Sequence, residues 1–510
     1  MPQDDAGAGG GGGDDLERVP SLVPGLDNIL CGGFLRGGLY MVAGAPGMGK
    51  TILASQIIYR RAAEGHRALF ITVLGENHGR MLAHLRPMRF FDPALIPEQV
   101  AYISAYAALE NEGLEGLSRL LLREVRAHQA TFLVLDGMSA VQAKAGDEAR
   151  FEMKRFTHAL QTLATSTNCT ALLLSTTSTP LLAPELTMVD GLIELRQRAF
   201  GVRTERRLTV QKLRGSAFLE GEHAFRITRE GVVVFPRIEA VFATPSQRDP
   251  PPRARLPTGI ASLDTMLGGG FPAATMTALV GPSGAGKTTL GLQFLSASSA
   301  AEPGLLFGCY ETPERLQVKA NMMGLDLLTA ERDGHLEILW HPVGEHILDE
   351  LAHQMLDAIR RRGVKRLVID GISGFQQTSL EPERLVRFWS ALSNELRALG
   401  VTALHTLEMP EIVGPEVRLP VGGISSLAEV MIVLRYVELR SRLYRLVSLI
   451  KAREGAFDPT IREFTITDNG VVIGQPFAGV EAVLSGMARE AAARLAADQP
   501  STAGDASGPD

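Results

Sequence analysis

Short apolar runs and helix-period segments alternate along most of the chain, and the alternation occurs twice. In the first half, the run ending in Val42-Ala43 predicts a buried strand that stops at Gly44. Helical spacing from Thr51 to Glu64 follows, then a strand from Ala68 to Val73. Leu117 to His128 has helical spacing and leads into the apolar strand Phe132-Leu133-Val134-Leu135, which ends at Asp136. A helix from Phe151 to Leu163 precedes a strand from Ala171 to Leu174. Arg206 to Leu213 predicts a strand of a terminal antiparallel section. In the second half, Ala278-Leu279-Val280 ends at Gly281, and helical spacing starts near Lys287. Strands are predicted over Leu305 to Tyr310, Leu367 to Asp370 and Val401 to His405, with helices over His346 to Arg362 and Glu383 to Leu399. Strands alternating with helices in this way predict an α/β fold, a mostly parallel sheet with helices on both faces.

The two halves are copies of one unit. PSLVPGLDNILCGGF near the start matches PTGIASLDTMLGGGF, and Asp27, Gly33 and Lys50 pair with Asp264, Gly270 and Lys287 at one constant offset. The expected layout is a disordered Gly- and Asp-rich tail over 1–15, a first domain over 16–243 and a Pro-rich linker over 244–252. A second domain over 253–486 and a flexible tail over 487–510 complete it.

Between strand and helix in each copy lies G-x-x-x-x-G-K-T, the phosphate-binding loop. It reads Gly44-Ala45-Pro46-Gly47-Met48-Gly49-Lys50-Thr51 in the first copy. In the second it reads Gly281-Pro282-Ser283-Gly284-Ala285-Gly286-Lys287-Thr288, followed by Thr289. Glycines let the backbone turn so that its N–H groups point at phosphate oxygens, and the helix N-terminus adds partial positive charge. Each lysine is expected to reach the β- and γ-phosphates of ATP, and the hydroxyls of Thr51 and Thr288 to hold Mg²⁺.

Asp136 and Asp370 each end an apolar strand downstream of a loop, the place of a carboxylate near Mg²⁺ and its waters. Hydrolysis or phosphoryl transfer also needs a base or water-positioning group near the γ-phosphate. Glu311, closing the strand that ends at Tyr310, is the candidate in the second half, and Glu76 in FITVLGENH is the candidate in the first. Near each domain's end a strand carries two cations at alternate positions, Lys212 and Arg214 in QKLRG and Lys451 and Arg453 in IKAREG. Such a strand in a ring would reach a neighbour's γ-phosphate and act in trans, as an arginine finger does.

Together these residues resemble the KaiC family, the tandem RecA-like ATPases of bacterial circadian timing. The resemblance runs from about Leu16 to Gly486 and is most specific in RRLTVQKLRGSAFLEGEHAFRITREGVVVFP and LRYVELRSRLYRLVSLIKAREGAFDPTIREFTITDNG. It implies two tandem RecA-like P-loop domains in six-membered, two-tiered rings with ATP between subunits. It also implies a first tier that is an ATPase and a second that is an autokinase and phosphatase acting on adjacent hydroxyl residues. Counted back from Tyr436-Val437-Glu438, that pair falls on Ser425 and Ser426. The family's paired glutamates become Glu311-Thr312 here in the second half and Gly75-Glu76 in the first. Its partner-binding tail is not recognisable after Gly486. These departures point to a KaiC-like signalling ATPase outside the clock, with an unknown protein partner.

Charge and cysteine content narrow the alternatives. A net charge of −6 argues against a general polyanion binder, so a nucleic-acid motor is a weaker reading of the same fold. A nucleotide-gated scaffold with little turnover also remains open. Three scattered cysteines without metal-ligand spacing suggest a reducing cytoplasm, and no apolar stretch is long enough to predict a membrane span.

Overall fold

The computed structural model describes residues 17–73, 78–144, 149–176, 188–244, 254–379, 381–409, 423–439, 441–477, 480–481 and 489–490. The expected N-terminal tail, most of the linker and C-terminal tail, and Glu76 lie outside these residues. The chain divides into two compact units, Met1–Val241 and Phe242–Asp510.

The first unit is built on a sheet of β1 (Leu39–Gly44), β2 (Ala68–Thr72), β3 (Val100–Ser104), β4 (Phe132–Asp136), β5 (Thr170–Ser175), β6 (Gly191–Phe200), β7 (Arg203–Leu213), β8 (Glu222–Thr228) and β9 (Gly231–Phe235). Their order across the sheet is β9-β8-β7-β6-β1-β5-β4-β2-β3. From β6 to β3 the neighbours run parallel, and from β6 to β9 they run antiparallel. Strand side chains alternate between faces, and both faces are buried, which is why these strands read as unbroken apolar runs. Tyr40, Val42, Phe70, Val134 and Leu172 pack with Leu53, Ala54 and Ile57 of α1 (Lys50–Ala63). Leu39, Met41, Leu69, Leu133 and Leu173 face the other way, onto Leu117, Leu121 and Val125 of α2 (Tyr106–His128) and Met153, Phe156 and Leu160 of α3 (Ala149–Thr167). Helical backbone begins at Tyr106, eleven residues before the expected Leu117, and α2 is two helical stretches joined at a kink, where Gly113 stands at the non-helical φ 64 and ψ −156.

The second unit repeats the plan with β10 (Met276–Gly281), β11 (Gly304–Gly308), β12 (Leu336–Trp340), β13 (Arg366–Asp370), β14 (Thr402–Glu408), β15 (Val430–Leu439), β16 (Arg442–Ala452), β17 (Arg462–Thr467) and β18 (Gly470–Pro476). The order β12-β11-β13-β14-β10-β15-β16-β17-β18 is that of the first unit. One face carries α4 (Lys287–Leu295), whose Leu290, Phe294 and Leu295 meet Leu279, Leu306, Val368 and Leu404. Beyond β11 comes α5 (Pro313–Asn321), and α6 (Leu348–Arg362) follows β12. The other face is aromatic: Phe307, Phe375, Trp389 of α7 (Arg384–Ala398) and His405 stack in sequence with ring centroids 5.1 to 5.5 Å apart. A buried ion pair, Arg384 to Asp349 at 2.6 Å, ties α7 to α6. Strand β11 ends two residues before the expected Tyr310, and β14 runs three residues past the expected His405.

Candidate nucleotide sites at the two glycine loops

Each loop leaves the carboxyl end of a central strand, where open α/β sheets bind ligands. A Cβ on Gly44 would stand 2.5 Å from the Leu195 carbonyl oxygen, and one on Gly281 would stand 2.7 Å from that of Leu434. Gly49 and Gly286 cap their helices at φ 100 and φ 104, in the left-handed region that only glycine adopts without strain. A Cβ on Gly49 would also strike Ile227 Cδ1 at 2.5 Å, and one on Gly286 would strike Phe464 Cε1 at 2.6 Å. Ala45, Pro46, Gly47, Ser283 and Gly284 lie exposed along the loops, whereas Ala285 and Thr289 are buried and Met48 packs against the core.

The functional side chains converge on these loops in the same way twice. Lys50 Nζ donates to the carbonyls of Gly44 and Ala45 at 2.7 and 3.0 Å, and Lys287 Nζ to those of Gly281 and Pro282 at 2.8 and 2.7 Å. Burial lowers both lysine pKa values. Asp136 opposes the shift in Lys50, and Glu408, then Asp370, oppose it in Lys287. The Thr51 hydroxyl donates to Asp136 Oδ2 at 3.0 Å, and the Thr288 hydroxyl to Asp370 Oδ2 at 3.0 Å. Burial pushes the Asp370 carboxyl up, against hydrogen bonds from Thr406 and Thr288 that hold it down. Thr406 Oγ1 donates to Asp370 Oδ1 and accepts from the Gly371 N–H, both at 2.7 Å. A hydroxyl and a carboxylate beside a lysine and a glycine-lined backbone fit a nucleoside triphosphate and a hard divalent cation with oxygen ligands. Mg²⁺ bound there would neutralise charge on the β- and γ-phosphates.

The acids of the second unit are placed unequally. Glu311 lies past the end of β11, and both its oxygens accept from Lys319 Nζ of α5, at 2.6 and 2.7 Å. Glu408 ends β14, and its Cα pairs with that of Gly281, the first residue of the loop. Thr406 and Glu408 are the next polar alternates of the strand expected over Val401 to His405, but alternation alone does not say which strand they stand beside.

Lys212, Arg214, Lys451, Arg453, Ser425 and Ser426 gather at the opposite end of each sheet. Lys212 pairs with Leu192 and Lys451 with Met431, each just past a bulge, and each next arginine lies one residue beyond its strand. Lys212 Nζ donates to the Val189 carbonyl at 2.7 Å, and Arg214 N–H donates to that of Asp190 at 2.7 Å. Ser425 and Ser426 sit in a one-turn helix, α8 (Ile424–Leu427). Lys451 Nζ donates to the Ser425 carbonyl at 2.7 Å and Arg453 Nη2 to the Ser426 carbonyl at 2.9 Å. The Glu429 N–H, just beyond α8, donates to the carbonyl of Met276, the residue that begins β10. Five residue steps of strand, about 17 Å, separate that end from the loop at Gly281. Within one chain the serines and the Lys-x-Arg pair are therefore out of reach of the phosphate loop and of Glu311.

Two RecA-like domains, each with a Lys-Thr-Asp constellation at its glycine loop, define a tandem P-loop ATPase. The family profile described as "ATPase: KaiC" matches residues 19–239 and again 256–477, so the chain belongs to the KaiC ATPase family. Among the relatives, the "Circadian clock oscillator protein KaiC" of Picosynechococcus sp. is 27% identical over 500 residues, covering 95% of this chain and 94% of that protein. The "Circadian clock oscillator protein KaiC 1" of Synechocystis sp. is 28% identical, with 92% of each chain covered. The "Circadian clock protein KaiC3" of the same organism is 26% identical over 93% of this chain and 95% of its own length. Among the described residues, no helix is long and apolar enough to cross a membrane.

Proposed function

We propose that both loops bind MgATP at the interfaces of a six-membered ring in the cytoplasm. The second domain transfers γ-phosphoryl groups to water and to Ser425 or Ser426 of a neighbouring copy. The phosphorylated interface is then a state for a signalling protein partner to read. The observation that carries the transfer reading is the polarity of the second sheet, with the serines and the Lys-x-Arg cations at one end and the loop at the other. A neighbour's loop is the one they serve. Each phosphate adds about −1.5 to −2 charges beside Glu429, so the second serine is modified more slowly than the first.

The test mixes Lys287→Ala chains, which keep their serines, with Ser425→Ala/Ser426→Ala chains, which keep their loop. After incubation with MgATP, phosphopeptide mapping is expected to find phosphate on the Lys287→Ala chains at Ser425 or Ser426. Phosphate at other positions means that the Ser425 and Ser426 assignment is wrong, and none in mixed rings and wild type alike sinks the autokinase reading and leaves an ATPase. The first domain has a second reading, a nucleotide-bound scaffold with slow turnover. Thr176, which follows β5 and stands where the second domain has Glu408, favours it.

A further inference from the structure

Three carboxylates surround the second loop, and two of them are already engaged. Asp370 accepts from Thr288 on one oxygen and from Thr406 on the other. Glu311 accepts from Lys319 on both. Glu408 is exposed, and its carboxylate makes no hydrogen bond among the described residues.

Its direction is fixed by the strand. Along β14, Leu404 packs into the core on the α4 side, and Thr406 reaches Asp370 on that same side. Strand side chains alternate, so Glu408, two residues further, lies on the α4 face as well. The Met409 N–H donates to the Gly281 carbonyl at 3.0 Å, which locks this register at the mouth of the loop. The charge agrees: Glu408 acts on the Lys287 ammonium more strongly than Asp370 does.

We propose that Glu408 is the catalytic base of the second domain, taking the proton from the hydroxyl that attacks the γ-phosphate. Glu311 is instead the anchor of Lys319. In the step, the attacking water or serine oxygen bonds to phosphorus and its proton passes to Glu408. The bond from phosphorus to the bridging oxygen breaks, and ADP leaves with the electron pair. Glu408 then returns the proton to solvent. The first domain has Thr176 here, its hydroxyl bonded to Ser139, and a hydroxyl is no base at neutral pH.

The inference rests on the second loop being an ATP site, and the experiment separates the two. Full-length wild type, Lys287→Ala, Glu408→Gln, Glu311→Gln and Glu408→Ala are compared for ADP release and for binding of a fluorescent ATP analogue with Mg²⁺. The second site's share of turnover is the difference between wild type and Lys287→Ala. Glu408→Gln is expected to lose about 100-fold of that share, the scale of one general base, while still binding analogue at both sites. Glu311→Gln is expected to keep it within about fivefold, and formate to restore part of it to Glu408→Ala. The assignment is overturned if Glu408→Gln keeps its turnover, if it loses analogue, or if Glu311→Gln falls as far. Wild type that binds no more analogue than Lys287→Ala overturns the ATP-site reading itself, and the base with it.

Discussion

At the scale of residues, a few polar side chains in the second domain do several jobs at once. Thr406 both donates to Asp370 and satisfies the Gly371 N–H from a buried position. Thr406→Val removes both contacts and leaves that N–H without its partner, at a cost of about 1–3 kcal/mol. Urea unfolding of the second unit should show the loss, together with weaker Mg²⁺-dependent ATP binding. His405, next to it on β14, faces the aromatic side against Trp389, and its burial pulls the imidazole pKa from 6.5 to about 3. A folded value below the unfolded one means that the unfolded chain binds the extra proton. This contribution is present above pH 6.5 and is lost as pH falls toward 3. Between pH 6.5 and pH 5 the loss is at most about 2 kcal/mol, and His405→Phe should flatten that part of the stability curve. A curve unchanged by the substitution counts against the assignment.

Elements show how far one sequence pattern reaches. The loop-following helices were placed to within a residue, because glycine, lysine and a run of apolar positions fix where such a helix can begin. Each carries a glutamine, Gln56 and Gln293, at the repeat's constant offset. Gln56 holds the edge hairpin by donating to the Val232 carbonyl at 3.1 Å and accepting its N–H at 2.6 Å, and Gln293 accepts the Val471 N–H at 3.3 Å. Those clamps were not legible, since a glutamine on a helix gives no sign of its partner some 176 residues away. The hairpins also crowd the loops, so Gly286→Ala meets Phe464 as well as an unfavourable φ. A left-handed alanine costs roughly 1–2 kcal/mol before any clash. Calorimetric titration should find MgATP binding lost at the second site, with the first intact. Normal binding in Gly286→Ala would show that the loop tolerates a displaced backbone.

For the whole molecule, the decisive fact is sheet polarity. The Lys-x-Arg pairs lie at the end of each sheet opposite the loops, so the proposed sites that use them would join two chains, and nucleotide should then drive assembly by mass action. Light scattering is expected to show larger species with MgATP than without. A protein that stays monomeric in saturating MgATP contradicts this. Arg453→Ala chains mixed with Lys287→Ala chains should recover part of the second domain's activity, because some interfaces then join an intact loop to an intact arginine. No recovery in rings shown to be mixed would place Arg453 outside the site. The sequence by itself determined the tandem repeat, the α/β alternation, both phosphate loops and their partner aspartates. Those are local signals, written in apolar runs and in glycines that a tight backbone turn requires. Tertiary structure alone decided that Lys319 occupies Glu311, that Glu408 stands at the loop, and that the serines face away from their own chain's loop. Each of these depends on which strands lie side by side and in what register, a choice made by burial over long separations that no short pattern records.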